Sequence, residues 1–297
     1  MRLKKFIFNE YDSFKDEIPH KRYIPYMRSE LNGYYSILTE NGDNNYTMLN
    51  STSKYILDLC DGVNTVSNIL DNLIDFYINI DEKTIKNDLV ETLFNLTKIR
   101  AIEWKGENKI MVNPMLNNIE IQIDENVTLS LASEGEIREI YDFLTNFFKN
   151  HKKEMSEDIF EYYWGENSIE FLNLTIIRQC LFSYYKDFFV VKENGKINGM
   201  IIMKPSLETY LHNVQFNLIS IDKNIFDSVI KSIIEFYQEY PGKKINLIQF
   251  DCVKNSVGNS MRIVERLLNL NFEYSGTIKK LYDNNLDVLN YCYYIEN

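Results

Sequence analysis

The hydrophobic pattern of the chain is clearest in its second half. Two apolar runs, Asp187–Lys192 and Ile197–Lys204, flank Asn194-Gly195, and this arrangement predicts a β-hairpin because both turn residues tolerate positive φ. The next run, Tyr210–Ile221, alternates apolar and polar side chains and predicts a third strand with one solvent-facing side. From Asp222, the expected N-cap, the period becomes helical. Three antiparallel strands are therefore predicted to lead into a helix.

The first hundred residues show strands first and helices after them. The predicted strands are Lys21–Met27, Tyr34–Thr39 and Tyr46–Leu49. Three amphipathic helices follow, and their expected starts are the caps Asn50-Ser51, Asn64-Thr65 and Asp81. Gly62 lies where a left-handed residue ends the first helix, and Ala101–Trp104 predicts a closing β wing. This order is typical of a small winged-helix-like module with three strands and three helices.

A junction without large periodic residues, Gly106–Asn118, separates this module from the rest. The later segments predict a strand at 127–132, helices at 134–148, 159–185 and 256–269, a strand at 244–252, and a last hairpin at 271–278 and 286–295. The expected fold class is α+β. The expected domains are 1–110 and 120–297.

Composition and charge restrict the partners of this 297-residue chain, whose net charge is −11. Residues 1–105 carry 13 Lys and Arg against 16 Asp and Glu, a poor balance for contacts to nucleic-acid phosphates. No apolar run is long enough to predict a membrane span. The N-terminus lacks an apolar signal core, so a cytoplasmic protein is expected. The four cysteines and three histidines are scattered, which favours reduced core thiols and predicts no metal site.

The stretch Tyr46–Leu70 resembles the pyrroloquinoline-quinone synthesis protein D family, whose members are also called RiPP recognition elements. The matching positions are Leu49, Asn50, Asp61, Gly62, Thr65, Val66 and Ile69. The resemblance covers about Tyr26–Trp104. It implies that the module binds the leader of a ribosomally made precursor peptide, which adds as a strand to the edge of the small sheet.

The same resemblance implies where the peptide lies. The edge strand would be Tyr46–Leu49, and the helix beside it would be Lys83–Leu96. The implied peptide-binding residues are Tyr46, Met48, Leu49, Lys83, Asn87 and Val90. The alternative is that this module only packs against the second domain.

The element order of the second domain looks like the GNAT acyltransferase fold. Asn271-Phe272-Glu273-x-x-Gly276 after the last helix is similar to the Gly-Phe-x-x-x-Gly of that family, with Asn271 in place of glycine. The resemblance covers about Val127–Asn297. It implies that acetyl-coenzyme A or another acyl-coenzyme A binds between the fourth and fifth strands, with its pyrophosphate on the N-terminus of the following helix.

The implied donor-binding residues are Ile221, Lys223, Asn224 and Ile225. Their loop departs from the family pattern because it contains no glycine and is flanked by Asp222 and Asp227, whose charge is wrong for a phosphate neighbour. Acyl transfer to an amine needs a base that removes the ammonium proton. The candidates are Glu208, at the start of the strand Tyr210–Ile221, which corresponds to the fourth strand of the family, and His212. For each, the alternative is a solvated strand residue.

Three functions are consistent with these patterns. In the first, the N-terminal module holds a precursor peptide and the second domain acylates an amine of that peptide. In the second, the second domain is a non-catalytic scaffold and the chain presents the peptide to a partner enzyme; the missing glycines favour this alternative. In the third, the chain acylates a small amine and the first module is merely structural.

Overall fold

The structure is a computed structural model that describes residues 11–39, 47–105, 114–115, 120–150, 158–164, 173–182, 186–206, 212–238, 245–254, 259–282 and 286–295. The chain divides into two compact units, an N-terminal unit within residues 8–117 and a C-terminal unit built from residues 118–297. The predicted α+β fold class is confirmed. No helix in the described ranges is long and apolar enough to cross a membrane.

The N-terminal unit contains two small antiparallel sheets and a group of helices. One sheet has the strand order β2-β3-β4, and in the other β1 pairs with β5. The elements are α1 (Tyr11–Phe14), β1 (Ile18–Lys21), β2 (Tyr26–Ser29), β3 (Tyr35–Leu38), β4 (Thr47–Leu49), α2 (Ser51–Leu59), α3 (Val66–Phe76), α4 (Glu82–Lys98) and β5 (Ile102–Lys105).

The helices begin at the residues that local chemistry selects. Side-chain oxygens of Asn50 and Asp81 accept hydrogen bonds from backbone N–H groups three residues on, at 2.7 Å and 2.9 Å, and Thr65 forms a capping box with Asn68. These bonds satisfy N–H groups that a helix start otherwise leaves unpaired. Apolar residues of all three helices then form the core of the unit, among them Ile56, Leu57, Ile69, Leu73, Leu89 and Leu93.

Gly62 is needed for two reasons where the chain leaves α2. Its φ is +78°, in the region that side chains disfavour, and a Cβ atom there would lie 2.4 Å from Cδ2 of His20. The prediction of a left-handed residue at this position is confirmed.

Two predictions for the N-terminal unit were wrong in part. The predicted strand Lys21–Met27 is interrupted at residues 22–25 and belongs to two different strands, β1 and β2. The predicted wing is β5, and it pairs with β1 instead of closing the three-stranded sheet. Both differences arise from pairing between distant segments, which a local pattern does not encode.

The C-terminal unit is a large mixed sheet with helices on both faces. Its elements are β6 (Glu120–Asp124), β7 (Val127–Leu131), α5 (Ile137–Asn150), β8 (Ile159–Tyr163), α6 (Leu174–Phe182), β9 (Asp187–Glu193), β10 (Lys196–Pro205), β11 (Asn213–Asp222), α7 (Phe226–Gln238), β12 (Leu247–Val253), α8 (Asn259–Asn269), β13 (Glu273–Tyr282) and β14 (Leu286–Tyr294).

The strand order is β6-β7-β9-β10-β11-β12-β14-β13, and β8 also pairs with β11. Among the described strands of this sheet, all pairs are antiparallel except β11 with β12. Ile202 pairs with Leu218 but Met203 pairs with Phe216, so Asn217 is an extra residue that forms a β-bulge. The bulge reverses which sheet face the following side chains occupy.

Each face of the sheet carries its own apolar core. On one face α5 and α6 pack on Phe188, Val190, Met200, Ile202 and Leu218. On the other face Phe236 of α7 stacks edge-on against Phe189, with ring centroids 5.1 Å apart. The Arg266 guanidinium of α8 pairs with the Asp227 carboxylate of α7 at 2.8 Å. The strands between these layers are therefore buried on both sides.

Three predictions for this unit require correction. The predicted helical stretch 159–185 contains the strand β8 and only then the helix α6. The predicted solvent-facing side of the third strand is wrong, because residues 216–221 are all buried between the helical layers and β8. Asp222 ends β11 and is not the N-cap of α7, which begins at Phe226. The Asp222 carboxylate accepts a hydrogen bond from the backbone N–H of Asn224 at 2.7 Å.

Asn271 has a φ of +65°, which explains why glycine or asparagine is suitable at this position after α8. We expect Asn271→Ala to lower the free energy of unfolding by about 1 kcal/mol, whereas Asn271→Gly leaves it within a few tenths. Urea denaturation of the two variants checks this. Equal stability of the alanine and glycine variants would show that the left-handed backbone is not strained.

Candidate functional site

Strand β4 presents an edge of the three-stranded sheet. It pairs with β3 through Thr47, Met48 and Leu49, and within the described ranges no strand pairs with its other side. Met48 is 55% exposed and Leu49 is buried. Tyr46, the remaining predicted residue of this edge, lies outside the described residues. An open edge of this kind can accept an extended peptide as a further strand.

A small cavity of about 50 Å³ opens among the three helices of the same unit. Its lining residues are mostly apolar and come from α2, α3 and α4 and the segment before α4: Thr52, Ile56, Leu73, Tyr77, Ile80, Ile85, Asp88 and Leu89. The Thr52 and Tyr77 hydroxyl groups are hydrogen bonded at 2.7 Å. Ile80 is 46% exposed, so the cavity can be reached from solvent.

The cavity lies beside the predicted helix face but is not lined by the predicted residues. Lys83 and Asn87 are exposed on α4 and Val90 is half-buried, whereas Ile85, Asp88 and Leu89 reach the cavity. The helical period of Ile85 and Leu89 was visible in the sequence. That these side chains leave a gap against α2 and α3 depends on packing, which the sequence does not show.

The predicted donor site at the end of β11 is already occupied by hydrogen bonds within the chain. Ile221 is buried and pairs with Phe160 of β8. The backbone N–H of Lys223 donates to the Asp158 carbonyl at 2.9 Å, and the Lys223 ammonium group pairs with the Asp158 carboxylate at 2.5 Å. The Asn224 N–H donates to Asp222. Ile225 precedes α7 and is half-buried.

Strand β8 fills the gap between β11 and β12. It pairs with residues 218–222 of β11, whereas β12 pairs only with residues 213–215. The Tyr162 hydroxyl donates to the Asp251 carbonyl of β12 at 2.5 Å, and its ring lies 4.4 Å from that of Phe250. At the bulge, the Trp164 N–H donates to the Asn217 carbonyl at 2.8 Å. Residues 218–222 of β11 are therefore paired with β8 and not with β12.

Of the two predicted bases, the structure describes only His212. Glu208 lies outside the described residues. His212 is exposed immediately before β11, and its carbonyl accepts hydrogen bonds from Asn246 and Leu247 at 2.7 Å and 3.2 Å. In the described ranges, no cluster of His, Cys, Asp or Glu is arranged to hold a metal ion.

A buried carboxylate that the sequence did not single out lies on β12. Asp251 is 4% exposed and accepts hydrogen bonds from the side-chain amides of Gln215, Gln249 and Asn290. Burial raises the pKa of the Asp251 carboxyl, although these three hydrogen bonds oppose the shift. Gln215 and Asn290 lie on strands far apart in the chain, so no sequence motif signals this group.

Comparison with known proteins gives one family match. Residues 35–102 match the coenzyme PQQ synthesis protein D (PqqD) family. This range contains β3, β4, the helices α2–α4 and the described peptide-binding candidates, and it confirms the resemblance found in the sequence. No curated protein matches the chain.

Several solved acetyltransferase structures are similar to this chain. A ribosomal-protein-S5-alanine acetyltransferase from Vibrio fischeri has 16% identity and a TM-score of 0.44, and the match covers 61% of this chain and 98% of that one. The microcin C7 self-immunity acetyltransferase MccE, in complex with acetyl-CoA and AMP, gives the same four values. A spermidine N-acetyltransferase from Vibrio cholerae, in complex with CoA and spermine, has 13% identity, a TM-score of 0.42, and coverage of 58% and 97%.

Proposed function

We propose that the N-terminal unit binds the leader of a ribosomally made precursor peptide. The match of residues 35–102 to the PqqD family is the observation that carries this proposal. The open edge of β4 offers backbone hydrogen bonds to an extended peptide, and the neighbouring cavity offers an apolar site for one of its side chains. A peptide made by ribosomes would meet the protein in the cytoplasm, which is the location that we propose.

The C-terminal unit, in this proposal, transfers an acyl group to an amine of the bound peptide. The supporting feature is the sheet itself, in which β11 has a bulge at Asn217 and pairs with β12 only through residues 213–215. Binding the leader on the same chain would raise the local concentration of the acceptor to about the millimolar range for a short flexible connection. Weak recognition of the acceptor amine would then suffice.

An acyl-coenzyme A is the donor that we propose, and it requires β8 to leave β11. Residues 218–222, together with the N–H group of Lys223, would then become available to the acyl-coenzyme A. Glu208 and His212 remain the bases proposed from the sequence.

A second function is favoured by the position of β8. If β8 stays paired with β11, the C-terminal unit cannot hold a donor between the strands and would serve as a scaffold. The chain would then present the precursor to a separate enzyme. This second function includes the same leader-binding step as the first but no acyl transfer by the C-terminal unit.

Calorimetry of the full chain measures leader binding and acyl-coenzyme A binding separately. We expect a full-length precursor peptide to bind, and the same peptide without its leader to bind at least about tenfold more weakly. Equal binding of the two peptides would contradict leader recognition. A parallel titration with acetyl-coenzyme A and a long-chain acyl-coenzyme A tests donor binding.

A further inference from the structure

The cavity among the three helices of the N-terminal unit has a size that suits an aliphatic side chain. Its volume is about 50 Å³, and Ile56, Leu73 and Leu89 are among its apolar lining residues. One water molecule needs about 10–15 Å³ of such space, so the cavity has room for about four non-hydrogen atoms. The side chains of leucine, isoleucine and methionine are of this size, whereas aromatic rings are larger.

One residue that lines this cavity is charged. Asp88 of α4 is exposed to solvent, and the ion pairs between described residues of this unit do not include it. Lys83 and Lys86 precede Asp88 by five and two residues, so they lie about 140° and 160° away from it around the helix. The Lys86 ammonium group lies 4.1 Å from the ring centroid of Tyr11. The carboxylate at the cavity therefore has no cation of its own helix beside it.

Glu91 adds negative charge beside Asp88. The two residues are three apart on α4 and are therefore neighbours on the helix surface. Partial desolvation raises the pKa of the Glu91 carboxyl, and the charge of Asp88 raises it further. The two carboxylates repel each other, so a cation bound to Asp88 would also be attracted by Glu91.

We propose that the N-terminal unit selects a leader with two paired residues, an aliphatic one that enters the helix cavity and a lysine or arginine that binds Asp88. The inference rests on the proposed leader binding and specifies the peptide that it selects. An acidic residue in place of the basic one would meet two like charges, so such peptides are excluded.

The spacing of the two peptide residues follows from the spacing on α4. Ile85 and Asp88 both line the cavity and are three residues apart, which places their Cβ atoms about 5–6 Å apart. In an extended peptide, side chains two residues apart point to the same side and are separated by about 6.8 Å. The basic residue is therefore expected two positions from the aliphatic one.

The test is a selection from a display library of random short peptides, with the full chain as the immobilised protein. We expect the wild type to enrich peptides in which an aliphatic residue lies two positions from lysine or arginine. Asp88→Lys is expected to enrich aspartate or glutamate at that position and to keep the aliphatic preference. Asp71→Lys is the matched control and should keep the wild-type preference, because Asp71 is exposed on α3 and does not line the cavity.

Calorimetry with one enriched peptide gives the size of the effect. Asp88→Asn is expected to weaken binding about three- to fivefold, as the loss of one exposed ion pair does, and Asp71→Asn is expected to bind like the wild type. A higher salt concentration should reduce the difference between the wild type and Asp88→Asn, because salt screens exposed charges. Circular dichroism verifies that the variants are folded.

Three results would overturn the inference. The wild type could enrich no peptide, it could enrich peptides without a basic residue at this spacing, or Asp88→Lys could keep the wild-type preference. If leader binding is correct and only the inference is wrong, a precursor binds through its leader equally well to the wild type and to Asp88→Lys. If leader binding is wrong, enriched peptides still bind in an Asp88-dependent way, but a precursor binds equally with and without its leader.

Discussion

Ile80→Asp is expected to weaken binding of the precursor leader at least about tenfold. Ile80 lines the helix cavity and is 46% exposed, so its side chain can be covered by a bound peptide without being part of the folded core. Burying an isoleucine side chain contributes about 1.5–3 kcal/mol, and a carboxylate at this position would lose that contribution. Calorimetry with the full chain and a full-length precursor peptide measures the change.

Ile78→Asp is the matched control for this prediction. Ile78 is two residues away and 86% exposed, but it does not line the cavity. The two substitutions change the charge of the unit equally, so a general electrostatic effect would weaken both variants alike. Unchanged binding in Ile80→Asp would show that the peptide does not use the cavity.

Phe160→Pro is expected to increase the affinity for acyl-coenzyme A at least about tenfold. The bonds from Lys223 N–H to Asp158 and from Trp164 N–H to Asn217 mark two hydrogen-bonded pairs of the β8–β11 ladder. Because such pairs alternate along an antiparallel ladder, the N–H of Phe160 also points toward β11. Proline has no backbone N–H, so this hydrogen bond is lost and the pairing of β8 with β11 is weakened. A larger fraction of the molecules can then bind acyl-coenzyme A.

Phe160→Ala is the control, because it removes the same aromatic ring but keeps the backbone N–H. The contact between the Phe160 and Phe226 rings, whose centroids are 4.9 Å apart in the wild type, is lost in both variants. Circular dichroism verifies that both remain folded. If folded Phe160→Pro binds acyl-coenzyme A no better than Phe160→Ala, the donor does not bind between β11 and β12, and the scaffold function is favoured.

The parts of the fold that were predicted from the sequence depend on local chemistry. Asn50, Thr65 and Asp81 start helices because their side chains reach N–H groups three residues on, a distance that the sequence states directly. Asn194 and Gly195 both have positive φ, as the predicted hairpin requires. These helix caps and this turn depend on residues that are close in sequence and not on contacts with distant segments.

The parts that were missed depend on pairing between distant segments. The run Ile159–Tyr163 has no clear period, and only its pairing with β11 makes it a strand. Asp251 becomes a buried, hydrogen-bonded carboxylate because Gln215 and Asn290 lie on neighbouring strands. The predicted acyl-donor residues lie before a helix, as the sequence shows, but the Lys223 N–H group is bonded to the Asp158 carbonyl just before β8, which no local pattern shows.

In the proposed function, one chain binds a precursor peptide by its leader and acylates it. The most direct measurement is mass spectrometry of the full-length precursor after incubation with the protein and a series of acyl-coenzyme A donors, beside the same peptide without its leader. We expect the mass of one acyl group to be added to the full-length precursor and little or none to the leaderless peptide. No added mass with any donor, on a precursor shown to bind, would contradict the claim and leave the scaffold function.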